Sequence, residues 1–417
     1  MEITISTIGA LIALTISIFL IFKKLHPAYS LMLGAIIGGL LGGGGLEGTT
    51  NLMIDGAKNI MPAVLRIISA GVLAGVLIES GAAVKISETI VQTIGDKNAL
   101  IALSIATLVL TAVGVFIDVA VITVAPIALS IGARSGFSKP SILLAMIGGG
   151  KAGNIISPNP NTISVSQNLG VPLTSVITSG IIPAIAGFIV TCILARILIN
   201  KGSKIASSEG KDRDGSMPSF FSAIIGPLIS IFLLALRPIM NISIDPLIAL
   251  PFGAILGTIV MGKTKQLKLY AARGLEKMSS VAILLIGTGA LAGIIANSQL
   301  KDSIIGIVDT LGLPAFLLAP IAGILMSGAT ASTTSGATVA SSVFGSTLIN
   351  LGIKPLNSAA MIHSGATVLD HLPHGSFFHA TAGSVFMDTN ERFTLIAYES
   401  IIGLIMTIVS TIIYGIL

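Results

Sequence analysis

Apolar runs recur along the chain from Ile3 to Leu417, and short polar breaks separate them. A helix that crosses a hydrocarbon core needs about 20 apolar residues, and the alternating ten-residue strands of an outer-membrane barrel do not occur. The pattern therefore predicts an all-α polytopic membrane protein with about 10 to 14 crossings. The polar segment 200–219 falls at the midpoint, and we interpret it as a linker between two halves.

Composition supports this class. Hydrophobic residues make up 53% of the chain and charged residues 10%, whereas soluble globular proteins carry about 25% charge. The formal net charge of +5 is concentrated in a few loops, which indicates membrane topology rather than nucleic-acid binding. The single cysteine, Cys192, lies in an apolar run, so we expect neither a disulfide framework nor a cysteine metal site.

The two halves share sequence blocks in the same order. Residues 71–75 (GVLAG) match residues 289–293 (GALAG), and residues 139–158 align without gaps on residues 354–373 with seven of twenty positions identical. We interpret these matches as an internal repeat. The glycine pairs are expected to allow close packing between helices.

Basic residues indicate how the halves are oriented. Lys23 and Lys24 follow the first apolar run, whereas in the second half the loop 238–244 has no Lys or Arg and the next loop, 263–277, has five. Because basic loops stay in the cytoplasm, we predict opposite orientations for the halves, a cytoplasmic linker, and both termini outside. Inverted-topology repeats are typical of secondary transporters that bind substrate near the membrane midplane.

Polar residues interrupt the apolar pattern at four places, two in each half. The breaks are residues 116–118, 154–162, 330–338 and 364–376. In transporters with inverted repeats, such breaks aim half-helix N-termini at an anion, and unwound carbonyl groups hold a coupling ion. Loops outside the bilayer are the alternative interpretation.

The small polar residues and histidines of these breaks are the candidate substrate ligands. They are Asn154, Ser157, Asn159, Asn161, Thr162, Thr333, Thr334, Ser335, Thr338, Ser364, His371 and His374. Asp118 and Asp370 are the candidate ion-coupling residues, because a carboxylate within apolar sequence usually faces a cavity and carries an ion or a proton. For Asp118 a structural helix cap is the alternative. Lys151, after three glycines, could attract an anionic substrate, reach the membrane interface or pair with a carboxylate.

Four of the five histidines lie in one short stretch, which makes a metal site the obvious hypothesis. They are His363, His371, His374 and His379. Because Pro373 separates two of them, regular helical spacing is not assured, and we expect no metal. The remaining interpretations are a substrate or proton role for at least one histidine, or hydrogen bonding to an unwound segment.

Three parts of the chain resemble the gluconate permease (GntP) family of the ion transporter superfamily. They are the run 79–129, the Pro-Asn-Pro element at 158–160, and the C-terminal segments GATASTTSGAT and DHLPHGSFF. The resemblance implies two inverted repeats, re-entrant hairpins that face broken helices, a dimerising scaffold and a mobile transport domain with an elevator motion. It also implies small hydroxylated or amino monocarboxylates as substrates, usually with proton symport.

The sequence and the resemblance together predict an ion-coupled, elevator-type symporter of the inner membrane for a small organic anion, such as a sugar acid or a hydroxy-monocarboxylate. The expected partners are this carboxylate, the lipid bilayer and a second copy of the chain, with H+ or Na+ as the coupling ion and no other cofactor. The predicted scaffold comprises 1–60, 174–278 with the linker 200–219, and 393–417; the predicted transport domain comprises 61–173 and 279–392. An anion channel and an intramembrane metal-dependent enzyme are the alternatives, although we expect no enzyme activity.

Overall fold

The computed structural model describes residues 4–95, 98–205, 217–240, 242–300, 303, 310, 314–373 and 375–417. These residues are almost entirely helical, and the only β-structure among them is isolated bridges. Five helical segments of this described part are long and apolar enough to cross a membrane: Gly45–Glu79, Ile117–Ser135, Leu173–Ile197, Thr264–Ala296 and Thr389–Ile416. Shorter apolar helices accompany them. The predicted all-α membrane fold is confirmed.

The helices of the first half precede the linker. They are α1 (Thr7–Phe22), α2 (Pro27–Leu41), α3 (Gly45–Glu79), α4 (Ala82–Ile94), α5 (Ala99–Ala112), α6 (Ile117–Ser135), α7 (Lys139–Asn154), α8 (Pro160–Asn168), α9 (Leu173–Ser179) and α10 (Ile181–Ile197).

The helices of the second half follow it. They are α11 (Phe220–Met240), α12 (Pro246–Val260), α13 (Leu267–Ala296), α14 (Leu318–Thr330), α15 (Thr333–Asn350), α16 (Pro355–Gly365), α17 (Ser376–Ser384), α18 (Thr389–Phe393) and α19 (Ile396–Thr411).

The same packing occurs in both halves. Helix α1 packs on α2 as α11 packs on α12, α5 packs on α7 as α14 packs on α16, and α7 packs on α10 as α16 packs on α19. The repeated sequence blocks therefore belong to a repeated arrangement of helices. The sequence that aligns with α4 in the repeat, residues 300–312, lies mostly outside the described part.

The long helices α3 and α13 pack against each other along much of their length. A Cβ atom on Gly75 would lie 2.1 Å from the carbonyl oxygen of Tyr270, and one on Gly293 would lie 2.0 Å from that of Leu52. Later positions on α3 thus meet earlier positions on α13, so these corresponding helices are antiparallel. The expected role of the glycine pairs in close packing is confirmed, because only glycine lets the two backbones approach so closely.

Replacing Gly75 by alanine tests this packing. A methyl group would push the two backbones apart, at a cost of about 1–3 kcal/mol. We expect a lower Tm for Gly75→Ala than for wild type in thermal unfolding of the detergent-purified protein. The control is Gly383→Ala, whose Cβ would meet no atom within 4 Å. Equal Tm values for the two variants would contradict the close packing.

Candidate functional site

Two of the four breaks separate consecutive helices at corresponding places. In the first half, α5 ends at Ala112 and α6 begins at Ile117, which puts Asp118 in the first turn of α6. In the second half, α14 ends at Thr330, and Ala331 has a positive φ of 47°. The chain therefore ends one helix and starts another within an apolar region in both halves.

The second of these breaks is shorter than the sequence predicts. Only residues 331–332 are non-helical, since α15 begins at Thr333, so most of the predicted break 330–338 is helix. Ser332 is the N-cap of α15, and its side chain accepts a hydrogen bond from the Ser335 backbone N–H at 3.3 Å. This cap satisfies a backbone donor that has no partner within the helix, so the small polar run starts a helix instead of interrupting one.

The other two breaks are the turns after α7 and α16, residues 155–159 and 366–375. Asn159 closes the first turn: its Oδ1 accepts from the Thr162 backbone N–H at 3.1 Å, and its Nδ2 donates to the carbonyl oxygen of Asn154 at 2.7 Å. Pro160 occupies the first position of α8, where its missing N–H costs no helical hydrogen bond. One side chain thus ties both ends of the break together.

The short helix after each turn packs against the other half. Helix α8 contacts α15, and Asn168 Nδ2 donates to Ser341 Oγ at 2.9 Å. Helix α17 contacts α6 in the same way. Asn161 at the start of α8 also lies 2.7 Å from Nε2 of His363 on α16. Both halves therefore build the region between the breaks.

A cavity of about 850 Å³ lies where the breaks meet. The polar side chains of the breaks on its wall are Asp118, Asn154, Thr330, Ser332, Thr333, Thr334, Ser335, Asp370 and Ser376. Four further ionisable side chains line it: Lys24, His26, Lys277 and His379. The cavity therefore combines hydroxyl and amide groups with charges of both signs.

Helix α7 carries Lys151 into the protein interior. Every residue of this helix is buried, because its glycines let the neighbouring helices approach. A Cβ atom on Gly148 would lie 2.1 Å from Thr191 Oγ1 in α10, and one on Gly149 would lie 2.1 Å from the Ser104 carbonyl oxygen in α5. The glycine run is thus a packing feature that leaves the Lys151 side chain 0% exposed.

Lys151 forms an ion pair with the other half. Its Nζ lies 2.6 Å from Asp370 Oδ1, 2.7 Å from the Thr367 carbonyl oxygen and 3.0 Å from His371 Nδ1. The second carboxylate oxygen of Asp370 accepts a hydrogen bond from Thr333 Oγ1 in α15. Of the three interpretations of Lys151, pairing with a carboxylate is the one observed. The pair connects α7 to the turn after α16.

A second ion pair extends this network. His371 Nε2 lies 3.0 Å from the Ile396 carbonyl oxygen, and its Nδ1 lies 3.8 Å from Glu399 Oε2. Glu399 pairs with Arg392, whose guanidinium group lies 4.8 Å from the centre of the Phe378 ring. All these charged groups are buried. Because an unpaired buried charge is costly, the network fixes α18 and α19 against the turn.

The predicted ligands fall into three sets. Those on the cavity wall are Asn154, Thr333, Thr334 and Ser335, with both candidate ion-coupling residues. Those that are buried away from this cavity are Ser157, Asn159, Asn161, Thr162, Thr338, Ser364 and His371. His374 lies outside the described residues. Within the described part, no group of three or more His, Cys, Asp or Glu side chains is arranged to hold a metal.

Three candidate residues are missing from the sequence-based set. They are Lys277 on the cavity wall, and Glu399 and Arg392 in the buried network. The last two did leave a signal, because Glu399 lies in the apolar helix Ile396–Thr411 and Arg392 precedes it by seven residues, about two helical turns. Lys277 gave no such signal, since the sequence predicts a basic loop over 263–277, whereas the structure has α13 from Leu267 onward and places Lys277 inside this helix.

A smaller pocket of about 170 Å³ lies between α3, α8 and the start of α12, which correspond in the repeat to α13, α17 and the start of α2 at the large cavity. Arg66 of α3 lies on its wall: Nη2 lies 2.7 Å from Asp245 Oδ2, and Nη1 donates to Gln167 Oε1 of α8. Asp245 is the N-cap of α12, as His26 is the N-cap of α2 beside the large cavity. The hydrogen bonds from Arg66 hold the pKa of Asp245 below its usual range, so this ion pair is charged near neutral pH.

Known proteins share this sequence over nearly its whole length. The sequence profile of GntP family permeases matches residues 3–416. The chain belongs to the GntP permease family. A transporter of Haemophilus influenzae is 60% identical to it over 414 residues, which cover 99% of each chain. The high-affinity gluconate transporter of Escherichia coli is 23% identical, over 93% of this chain and 94% of that protein.

A solved structure has the same fold. The crystal structure of the Alcanivorax borkumensis YdaH transporter superposes with a TM-score of 0.67 at 15% sequence identity, and the match covers 90% of this chain and 89% of that chain. This match shows the fold, and the family profile confirms the resemblance to gluconate permeases at the level of the family. This GntP permease is a membrane transporter and not an enzyme.

Cysteine labelling tests the cavity. In a Cys192→Ala background, we expect Thr334→Cys to react with a small charged thiol reagent, because Thr334 lies on the cavity wall. Thr162→Cys, at a position that is 0% exposed, should react only after unfolding. Mass spectrometry of the labelled protein measures both. Equal reactivity of the two folded variants would show that the cavity is not open to water as described.

Proposed function

We propose that this GntP permease is a secondary active transporter that couples the movement of a small organic anion, such as a sugar acid or a hydroxy-monocarboxylate, to an ion gradient. The observation that carries this proposal is the cavity between the two halves, which is lined by helix ends and by two carboxylates. Its volume of about 850 Å³ is within the range of about 300–1,000 Å³ for small-molecule sites.

The first turn of α15 supplies the chemistry for an anion. Its backbone N–H groups and the positive end of the helix dipole favour negative charge. Thr334 and Ser335 add hydroxyl donors at the same place, and Asn154 adds an amide to the cavity wall. The single O–H of Thr333 already donates to Asp370. A hydroxylated carboxylate uses both kinds of donor, which agrees with the gluconate named for the Escherichia coli relative.

The two unequal pockets support alternating access. The large cavity is bordered by Lys24 and by Lys277 of α13, which belong to the basic segments that the positive-inside rule assigns to the cytoplasm. The small pocket is lined by the Arg66–Asp245 ion pair. We interpret this state as open inward, with an elevator motion of the part that carries the breaks. The predicted boundaries at 60 and 278 fall inside α3 and α13, so these helices would join scaffold to transport domain.

We further propose that the halves are inverted across the inner membrane and that the scaffold dimerises. The antiparallel packing of the corresponding helices α3 and α13 supports the inversion, because repeats related by a two-fold axis in the membrane plane have opposite orientation. Asp118 and Asp370, both on the cavity wall, are the proposed ion-coupling residues. The dimer is proposed from the family resemblance.

Uptake into proteoliposomes tests the function. We expect saturable, gradient-driven accumulation of gluconate or a related monocarboxylate, and weaker binding in Thr334→Ala and Ser335→Ala, because each removes a hydroxyl partner worth about 1–3 kcal/mol. Ser346→Ala, on the exposed side of the same helix, is the control and should bind like wild type. Passive flux without accumulation, at rates far above those of a carrier, would instead support an anion channel.

Impermeant labelling of whole cells tests the inversion. In the Cys192→Ala background, Ser243→Cys should be labelled from outside, whereas Lys24→Cys and Lys265→Cys should be labelled only after the cells are opened. The reason is that Lys and Arg near span ends resist translocation. External labelling of Lys265→Cys would mean that the halves are parallel, and the paired breaks would no longer form a midplane site.

A further inference from the structure

The Lys151 ammonium group lies at the turn after α16 with two oxygen acceptors, Asp370 Oδ1 at 2.6 Å and the Thr367 carbonyl oxygen at 2.7 Å. His371 lies beside this pair: its Nδ1 is 3.0 Å from Lys151 Nζ and 3.0 Å from Asp370 Oδ1, and its Nε2 is 3.0 Å from the Ile396 carbonyl oxygen. An ammonium group can only donate and a carboxylate can only accept, so Lys151 is the charged donor to Asp370.

At an unwound turn of this kind, the groups around it usually bind a metal cation. Here the Lys151 ammonium group occupies that position. A backbone carbonyl oxygen and a carboxylate oxygen at an unwound segment are the donors that a hard cation takes. Here the ammonium group lies 2.7 Å and 2.6 Å from these two oxygens, and its side chain is 0% exposed. The Lys151 side chain therefore supplies the positive charge at this site, and it occupies the position that Na+ would need.

The same carboxylate borders the proposed anion site. Asp370 and Thr333 both line the cavity, and Thr333 Oγ1 donates to Asp370 Oδ2. An anion at the first turn of α15 would thus lie one hydroxyl group away from Asp370. Two carboxylates that share a site in a low-dielectric interior do not both stay ionised, and one of them takes up a proton.

The other charged groups near Asp370 are already matched in charge. Glu399 is paired with Arg392 beside His371, and His363 is hydrogen-bonded to Asn161. Across the cavity, Asp118 faces a wall that carries Lys277. The other titratable side chains on the cavity wall, within the described residues, are Lys24, His26 and His379. An entering anion therefore first disturbs the charge balance between Lys151 and Asp370.

We propose that Lys151 is a fixed internal cation whose counter-ion alternates between Asp370 and the substrate, so that each monoanion entering the cavity brings one proton onto Asp370. The step balances: the Asp370 carboxylate gains H+ and becomes neutral, the substrate brings one negative charge, and Lys151 keeps its positive charge throughout. Release of the anion returns the proton. This inference rests on the proposed function and selects the proton over Na+ at this site.

Calorimetry of the purified full-length protein tests the exchange. The titrated probes are gluconate, glycerate and hydroxybutyrate, each in buffers of different ionisation enthalpy. For a probe that binds, we expect uptake of about one proton per anion, a Kd that rises about tenfold per pH unit while Asp370 is ionised only in the free state, and the same Kd when K+ replaces Na+.

Variants separate the roles of the two residues. Asp370→Asn leaves Lys151 unpaired and free for the anion, so binding should take up no proton and Kd should change less than about twofold over the same pH range. Lys151→Met should also take up no proton, because Asp370 is then protonated before the anion arrives, and it should bind more weakly. The double variant Lys151→Met/Asp370→Asn has no unpaired charge and keeps the test available if either single variant fails to fold.

Two controls complete the test. Asp55→Asn and Lys58→Gln remove the partners of an exposed ion pair whose Nζ–Oδ1 distance is 2.9 Å, and both should keep wild-type proton uptake. Wild-type binding without proton uptake, or proton uptake that is kept in Asp370→Asn, would overturn the inference and leave the transporter proposal standing. If none of the probes binds wild type, the proposed substrate class fails, and the inference fails with it.

Discussion

A helix that is interrupted inside an apolar protein leaves polar groups without water, and each must find a partner within the chain. Asn159 and Ser332 supply local partners, because each caps the helix that follows its break. Lys151 supplies a distant one, since it donates to the Thr367 carbonyl oxygen and to Asp370 in the opposite half. The shape of the cavity and its polar wall depend on these contacts, which hold the broken ends in place.

The two halves share an arrangement of helices but not the chemistry of their turns. In the first half, neutral amides close the turn after α7, with Asn159 donating to Asn154. In the second half, the equivalent turn carries Asp370 and His371 and needs a charged partner from outside, which is Lys151. A repeated framework thus holds an asymmetric centre, to which the first half supplies the cation and the second half the carboxylate.

The breaks could be predicted because Pro, Asn and small polar residues stand out within apolar sequence, and the repeat placed them in pairs. Their exact limits could not, because Ser332 acts as a cap and turns most of the Ser/Thr run into helix. Asp118 stands out by its apolar neighbours alone. The pairing of Lys151 with Asp370 spans 219 positions, and no local pattern reports which distant residue a buried charge meets. For the same reason, the sequence does not predict that Lys277 lies on the cavity wall.

The Arg66–Asp245 ion pair at the small pocket differs from the buried network around Lys151 in its exposure to solvent. Arg66 and Asp245 have side chains that are 27% and 40% exposed, so dissolved ions can screen their attraction, whereas they hardly reach the pair at Lys151. Ionic strength therefore acts on the pair at the small pocket and hardly on the pair at Lys151. Under the proposed alternating access, we expect higher salt to shorten the time for which the side of the small pocket stays shut and to leave the charge balance at the proposed binding site unchanged, so that turnover rate and binding affinity respond to salt separately.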